Sequence, residues 1–224
     1  MPKIITAEVA AKMIKPKDRI MFGSFLGVGA AQDLIDALIE EGTKDIHMIV
    51  IATDFHDMGV GKIITSKQIG SIQTSHIGTN RSTQEQMKSG DIDIELIPQG
   101  TLMERVRSAG AGLGGILTPT GIGTVVEEGK QVIEVEGKKF ILELPISGDY
   151  AFIKGKKADK NGNTVYYKTA RNSNPIMATA AKITIVQVDE IVEVGEIDPE
   201  DVVTPGIFVN YIVKKIPNKL KKEA

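Results

Sequence analysis

The stretch DRIMFGSFLGVGAAQDLIDAL, residues 18–38, decides the fold that this sequence predicts. Its segment 19–22 is apolar, like a buried strand, and segment 30–41 has a helical apolar period that stops at Gly42. Between the two lies GSFLGVG (23–29), and the apolar run 46–52 follows the helix as a second strand. The apolar face of the helix consists of Leu34, Ile35, Leu38 and Ile39. The order strand, glycine turn, helix and strand predicts a βαβ unit.

The rest of the chain continues this alternation. Further strands are predicted at 69–77, 91–97 and 183–188, helices at 7–14, 81–90 and 101–109, and a last apolar segment at 204–213. Segment 91–97 alternates polar and apolar residues, which is typical of a strand near a sheet edge. Segments 130–145 and 149–167 are predicted hairpins, the second turning at Asn161-Gly162. We therefore expect an α/β fold, a mostly parallel sheet with flanking helices and an additional β-hairpin region, in one domain over residues 1–224.

Composition excludes several classes of protein. The 224 residues are 42% hydrophobic and 25% charged with a net charge of -2, which is ordinary for a globular protein and gives no overall attraction to nucleic acid or anionic membranes. There is no cysteine, so disulfides and thiolate chemistry are excluded. Neither a signal peptide nor an apolar stretch of about 20 residues is visible, which predicts a cytoplasmic protein without membrane contact. The lysine-rich end, 214–224, is predicted to be a solvated tail.

The glycine turn is the strongest candidate site. Backbone N–H groups at a strand-to-helix turn point outward at the positive end of the helix dipole, and glycines let an anion such as phosphate or pyrophosphate approach them. The turn is not a dinucleotide fingerprint, because Gln32 stands where glycine or alanine is required, and it is not a P-loop. The alternative is a tight turn that only allows close helix–sheet packing. The candidate residues are Gly23, Ser24, Phe25, Leu26, Gly27, Val28 and Gly29.

A second glycine run, GAGLGG (110–115), precedes TPTGIGT (118–124) and is typical either of a loop that surrounds a ligand or of a plain connection. Ser75 and His76 are neighbours in a strand and point to opposite faces, so they do not form a nucleophile–base pair. The segment DFHD (54–57) lacks a second cluster for a metal site, and we expect it to be a solvated loop. No metal ligand set is predicted.

Carboxylates are a separate class of candidates, because some acyl-transfer enzymes use one as the nucleophile. Glu127 and Glu128 follow the glycine-rich stretch, whereas Glu104 and Glu143 lie in amphipathic segments and are expected to face solvent. Spacing singles out none of them. The residues alone therefore predict an anion-binding α/β domain without an identified nucleophile.

Six blocks of the sequence resemble a known family. They are DRIMFGSFLGVGAAQDLIDAL, SHIGTN, IELIPQGTLMERVRSAGAGLGGILTPTGIGT, VVEEGKQ, ARNSNPIMATAA and TPGIFVNYIV, and they run from about residue 16 to residue 213. Together they resemble the alpha subunit of the two-subunit 3-oxoacid CoA-transferases of family I, of the acetate or butyrate–acetoacetate type. The resemblance implies that turn 23–29 binds coenzyme A. Two departures are Ser24, where the family has a second glycine, and Ala31, where it often has proline.

The resemblance also implies an enzyme that moves coenzyme A between a short-chain acyl-CoA and a free acid such as acetate, butyrate or acetoacetate. Coenzyme A is then a substrate, and no permanently bound cofactor is expected. The family's nucleophilic glutamate lies in a Ser-Glu-Asn-Gly motif on the beta subunit, and this motif is absent here. No catalytic residue is therefore expected in this chain, which would pair with a beta subunit in an α2β2 heterotetramer. Residues Gly112, Gly114 and Gly115 would line the active-site cleft.

Two alternatives remain open at this point. One is the corresponding subunit of a succinyl-CoA:3-oxoacid CoA-transferase, which belongs to the same family. The other is a non-catalytic module of the same superfold that binds a phosphorylated ligand, because a fold does not determine a function.

Overall fold

The computed structural model describes residues 1–216, so most of the predicted lysine-rich tail lies outside the described residues. Within residues 1–216 the strands, in chain order, are β1 (Lys3–Ile5), β2 (Arg19–Phe22), β3 (Ile46–Ile49), β4 (Ile69–Thr74), β5 (Asp93–Leu96), β6 (Ile116–Thr118), β7 (Val132–Val135), β8 (Lys138–Glu143), β9 (Gly148–Asp159), β10 (Thr164–Val165), β11 (Ala181–Val192) and β12 (Tyr211–Lys214). The α-helices are α1 (Ala7–Ala11), α2 (Gln32–Glu41), α3 (Gly61–Thr65), α4 (Arg81–Ser89), α5 (Gln99–Gly110) and α6 (Asn174–Thr179).

The main sheet has the strand order β1-β12-β11-β9-β2-β3-β4-β5, and each neighbouring pair along this path is parallel. Strand β10 pairs antiparallel with the end of β9, and β6, β8 and β7 form a small antiparallel sheet. The predicted α/β fold, the edge position of the strand in 91–97 and the hairpin in 130–145 are confirmed.

Strands β2 and β9 meet where the chain changes direction across the sheet. From β2 the chain proceeds outward through β3 and β4 to β5, and the later strands are added on the other side of β2. The rings of Phe22 and Phe152 fix this junction with an edge-to-face contact, 5.7 Å between centroids. Such a switch point at the carboxyl ends of parallel strands is the usual place for a ligand in an open α/β sheet.

The two faces of the sheet are covered by different helices. On one face α1, α2 and α3 bury an apolar cluster that contains Leu34, Leu38 and Phe22. On the other face α5 and α6 bury a second cluster around Leu102 and Met177. Helix α2 ends as predicted, at Gly42 in the left-handed conformation. No helix among residues 1–216 is both long and apolar enough to cross a membrane.

The sequence was misleading for β9. The predicted hairpin in 149–167 exists and turns at Asn161-Gly162, but its first arm is a 12-residue strand in the middle of the main sheet, and its second arm has only two residues. Strand β9 pairs with β2 through Tyr150–Phe152 and with β11 along nearly its whole length. The β-rich texture was recognised, but its long-range partners were not. The short elements β1, β6, α3 and α6 were also not predicted.

Candidate functional site

The glycine turn leaves the carboxyl end of β2 as a tight two-residue hairpin. The N–H groups of Phe25 and Val28 each donate to the carbonyl of the other, at 3.1 and 3.0 Å. Leu26 and Gly27 at its tip have φ values of 51° and 80°, which resembles the turn that joins two antiparallel strands. Positive φ at Leu26 is uncommon for a residue with a side chain, so the surrounding contacts must hold this conformation.

One of those contacts is a buried carboxyl group that the sequence did not reveal. Asp54 is fully buried, and its Oδ2 accepts hydrogen bonds from the Ser24 hydroxyl at 2.8 Å and from the Val60 N–H at 3.0 Å. Burial raises the pKa of Asp54 above its ordinary value, whereas the bond from Ser24 and the nearby N–H groups of Val60, Gly27 and Leu26 oppose the rise. Neither Leu26 nor Gly27 completes a hydrogen bond to Oδ1, which has no partner in the described part of the chain.

The other side of the turn rests on two asparagines from the segment that precedes α6. Asn172 Nδ2 donates to the Val28 carbonyl at 2.8 Å, and Asn174 Nδ2 donates to the Gly29 carbonyl at 3.1 Å. A Cβ on Gly29 would lie 2.6 Å from the Ala170 carbonyl oxygen. The glycine at this position is therefore required by close packing within the chain as well as by its φ of 77°.

The predicted anion site at the start of α2 is largely occupied by protein groups. The fully buried Gln187 of β11 places Oε1 at 2.9 Å from the Asp33 N–H and 3.4 Å from the Leu34 N–H. The N–H groups of Phe25 and Val28 bond within the turn. Sequence alone gave no signal for this cap, because Gln187 lies 154 residues from Asp33.

The tip of the turn instead presents an apolar surface to solvent. Phe25 and Val28 are exposed, and so are Phe55 and Met58 in the loop after β3. Met58 lies directly over the turn, since a Cβ on Gly27 would be 2.9 Å from its sulfur atom. Exposed apolar side chains around the sheet switch point, a usual ligand position, indicate a surface that another molecule covers.

Other predicted polar candidates have structural roles. Ser75 Oγ donates to the Ile51 carbonyl at 2.6 Å, and the His76 backbone pairs with Ala52, so these residues form no nucleophile–base pair. His56 and Asp57 are exposed as expected, but the prediction of a solvated loop was wrong for Asp54. Among residues 1–216 no group of three or more His, Cys, Asp or Glu side chains is arranged to hold a metal ion.

The carboxylates were predicted with mixed success. Glu104 is exposed and pairs with Arg107 one helical turn away, whereas Glu143 is 1% exposed and pairs with Arg105 and Lys130. The expectation that Glu143 faces solvent was therefore wrong, because cations from α5 and from the loop before β7 converge on it. Glu127 accepts a hydrogen bond from the Gly123 N–H in its own loop.

The second glycine run lies away from the first. Helix α5 leads from the carboxyl end of β5 back across the sheet, and its last residue, Gly110, lies against Thr179 just before β11 begins. Within this chain the structure therefore does not bring Gly112 and Gly114 together with the turn at 23–29. Both residues are exposed, and a Cβ on either would meet no atom within 4 Å. Gly115, in contrast, fits closely against the Glu143 carbonyl.

Comparison with known proteins identifies the family. Residues 4–215 match the family Coenzyme A transferase. The chain is 46% identical over 211 residues to the alpha chain of the acetate CoA-transferase of Escherichia coli K12, which covers 94% of this chain and 96% of that protein. It is 42% identical over 225 residues to one of the subunits of the succinyl-CoA:3-ketoacid coenzyme A transferase of Helicobacter pylori J99, with 99% and 97% covered. The chain thus belongs to the coenzyme A transferase family.

A solved structure supports the same fold. An acyl-CoA transferase from E. coli O157:H7, in its thioester complex with CoA, superposes with a TM-score of 0.85 at 22% identity. The match covers 96% of this chain but only 47% of that one, so this chain spans about half the length of that protein.

Proposed function

We propose that this chain is the alpha subunit of a heteromeric, cytoplasmic enzyme that moves coenzyme A between a short-chain acyl-CoA and a free carboxylic acid. A beta subunit contributes the nucleophilic glutamate in an α2β2 assembly. Acetate, butyrate and acetoacetate are the acids, and coenzyme A is bound as a substrate only. The names of the relatives support the pairing, because each designates one subunit of a larger enzyme and the E. coli protein is named as the alpha chain.

The observation that carries the proposal is the state of the buried carboxylates. A nucleophilic carboxylate must be shielded from water yet open to the substrate. The buried carboxyl groups among residues 1–216 are those of Asp54, Glu143 and Asp159. Asp54 is engaged by Ser24, Glu143 by two cations, and Asp159 by the backbone and side chain of its own turn. None is accessible for attack on a thioester, which favours a reactive group from a partner.

The turn at 23–29 is proposed to contact coenzyme A through its uncharged arm. The exposed Phe25 and Val28 and the sheet switch point support this assignment, and the occupied N–H groups of α2 argue against the diphosphate as the ligand of the turn itself. The exposed glycines Gly112 and Gly114 are proposed to approach the partner chain, so that the cleft is completed by two chains.

Co-expression with a candidate beta chain tests the proposal. The heteromer is expected to transfer coenzyme A and the isolated chain is expected not to, and light scattering is expected to give the mass of two chains of each kind. Hydroxylamine trapping of the activated glutamate followed by mass spectrometry is expected to label the partner. Turnover by this chain alone, or a label on one of its carboxylates, would refute the proposal.

A second candidate is a succinyl-CoA:3-oxoacid CoA-transferase, because the Helicobacter pylori relative carries that kind of name at nearly the same identity. The same heteromer is assayed with acetyl-CoA, butyryl-CoA and succinyl-CoA as donors and with acetoacetate as acceptor. A kcat/KM for succinyl-CoA at least tenfold above that for the other donors would select this candidate.

A further inference from the structure

Positive charge is concentrated at the carboxyl ends of β9, β11 and β12. Three lysines surround the carboxylate of Asp189, with Nζ–Oδ distances of 2.9 Å for Lys154, 3.6 Å for Lys156 and 4.0 Å for Lys215. Lys157, in contrast, pairs with Glu190 at 3.1 Å, one carboxylate for one lysine. One carboxylate cannot neutralise three ammonium groups, so this place keeps a positive charge although the whole chain carries -2.

An exposed aromatic ring borders this charge. Tyr167 is 57% exposed, and the ammonium groups of Lys168 and Lys156 lie 5.0 and 6.0 Å from its ring centroid. Lys156 thus connects the ring with the group around Asp189. We name Lys154, Lys156, Tyr167, Lys168 and Lys215 the lysine–tyrosine surface.

The lysine–tyrosine surface is joined to the glycine turn by direct contacts. The 3-10 turn Lys168–Arg171 begins directly after Tyr167, and its Ala170 carbonyl lies against Gly29. The Lys154 N–H donates to Asn174 Oδ1 at 2.8 Å, and the same asparagine donates to the Gly29 carbonyl. A ligand seated on the turn therefore needs only a short extension to reach the surface.

We propose that the lysine–tyrosine surface binds the 3′-phosphoadenosine diphosphate end of coenzyme A. The inference rests on the proposed function. Ammonium groups bind phosphate oxygens through charge-assisted hydrogen bonds, and an exposed tyrosine ring offers a stacking surface for adenine. The turn provides few unoccupied N–H groups, so the phosphates find their counter-charge on these lysines while the arm and thioester extend toward Phe25. A ring between amines is suited to a nucleotide rather than to inorganic phosphate, which has no base to stack.

The test uses the co-expressed heteromer and adenosine 3′,5′-diphosphate as the probe. In the double variant Lys156→Gln/Lys168→Gln, the KM for acyl-CoA and the inhibition constant of the probe are expected to rise about tenfold or more. The kcat and the KM for the carboxylic acid are expected to stay unchanged. Tyr167→Leu is expected to weaken the probe about fivefold or more but not tripolyphosphate, which lacks a base. Lys157→Gln, one position along the same strand, is the matched control and is expected to leave all constants unchanged.

Changes below twofold in the double variant, or an equal loss of probe and tripolyphosphate in Tyr167→Leu, would overturn the inference. The result is separable from the proposed function. If the wild-type heteromer transfers no coenzyme A, calorimetric titration with adenosine 3′,5′-diphosphate still measures binding to the surface. If transfer occurs but the variants bind the probe like wild type, only the nucleotide site is refuted.

Discussion

Ser24 Oγ donates a 2.8 Å hydrogen bond to Asp54 Oδ2, and both side chains are fully buried beneath the glycine turn. The bond joins the carboxyl end of β2 to the loop after β3. Gly59 makes room for the carboxyl group, because a Cβ there would lie 2.0 Å from Oδ2. The serine that departs from the family's glycine pair thus contributes a donor to the support of the turn.

The titration of Asp54 is expected to appear in the pH dependence of stability. Burial raises the pKa of this carboxyl in the folded chain. The folded state then binds the proton more tightly than the unfolded one, so the stabilisation is complete below the unfolded pKa, about 3.9, and is lost as pH rises through the folded pKa. In Asp54→Asn this loss is absent. Urea unfolding from about pH 4 to 8 is expected to show the wild type losing free energy of unfolding relative to the variant.

Asp57→Asn is the control for removing a carboxyl group from the same loop, since its side chain is exposed. Parallel curves for the wild type and Asp54→Asn over the whole range would mean that the burial of Asp54 does not govern its titration.

Two glycines with nearly the same backbone conformation separate strain from packing. Gly29 has φ 77° and Gly42 has φ 76°, but a Cβ on Gly29 would lie 2.6 Å from the Ala170 carbonyl, whereas one on Gly42 would meet nothing within 4 Å. Alanine at Gly42 is expected to cost about 1–2 kcal/mol of stability, from the left-handed conformation alone. Alanine at Gly29 is expected to cost at least about 2 kcal/mol more, because backbone atoms must move.

Chemical denaturation of both variants measures the difference. Equal losses would show that the contact between Gly29 and the Lys168–Arg171 segment is loose, and that only φ requires a glycine there.

The local part of this fold was predictable from sequence, and the long-range part was not. Helix α2 and its stop at Gly42 follow from the spacing of apolar residues and from a glycine in the left-handed conformation. Strand β9 contains lysines and precedes an Asn-Gly turn, so its sequence is that of a surface hairpin. Its central place depends on pairing with β2 and β11, which are distant in the chain.

The candidate site shows the same division. The glycine turn was recognised because its glycines are close together in sequence. Asp54 was misread because DFHD is polar as a string, and its burial depends on Ser24 and Gly59 approaching from either side. Asn172 and Asn174 lie in a recognised block, ARNSNPIMATAA, but nothing in that block tells which carbonyls they bind.

Glu143 and Glu104 provide a second matched pair. Glu143 is 1% exposed between Arg105 and Lys130, whereas the Glu104 side chain is 45% exposed beside Arg107. Glu143→Gln leaves two cations without their buried partner and is expected to cost about 3 kcal/mol or more. Glu104→Gln removes only a surface pair and is expected to cost less than about 0.5 kcal/mol.

Thermal and urea unfolding give the two values, and hydrogen exchange locates the effect. Because Glu143 ends β8, its variant is expected to lose protection in the small sheet of β6, β7 and β8 before the main sheet. Similar costs for the two variants would contradict the structural role assigned to the buried network.

Gly114 tests whether the second glycine run serves another molecule. Its φ is not in the left-handed region, and a Cβ there would meet nothing within 4 Å, so this chain gives no reason for a glycine at that position. Gly114→Ala is therefore expected to leave the melting temperature of the isolated chain unchanged, because alanine restricts only the unfolded state. In the heteromer the added methyl group is expected to lower kcat/KM about tenfold or more, if the partner or substrate contacts the backbone at this point. Size-exclusion chromatography distinguishes lost assembly from lost turnover. Unchanged turnover by an intact heteromer would remove the loop from the proposed cleft and leave the glycine turn as the contribution of this chain to the active site.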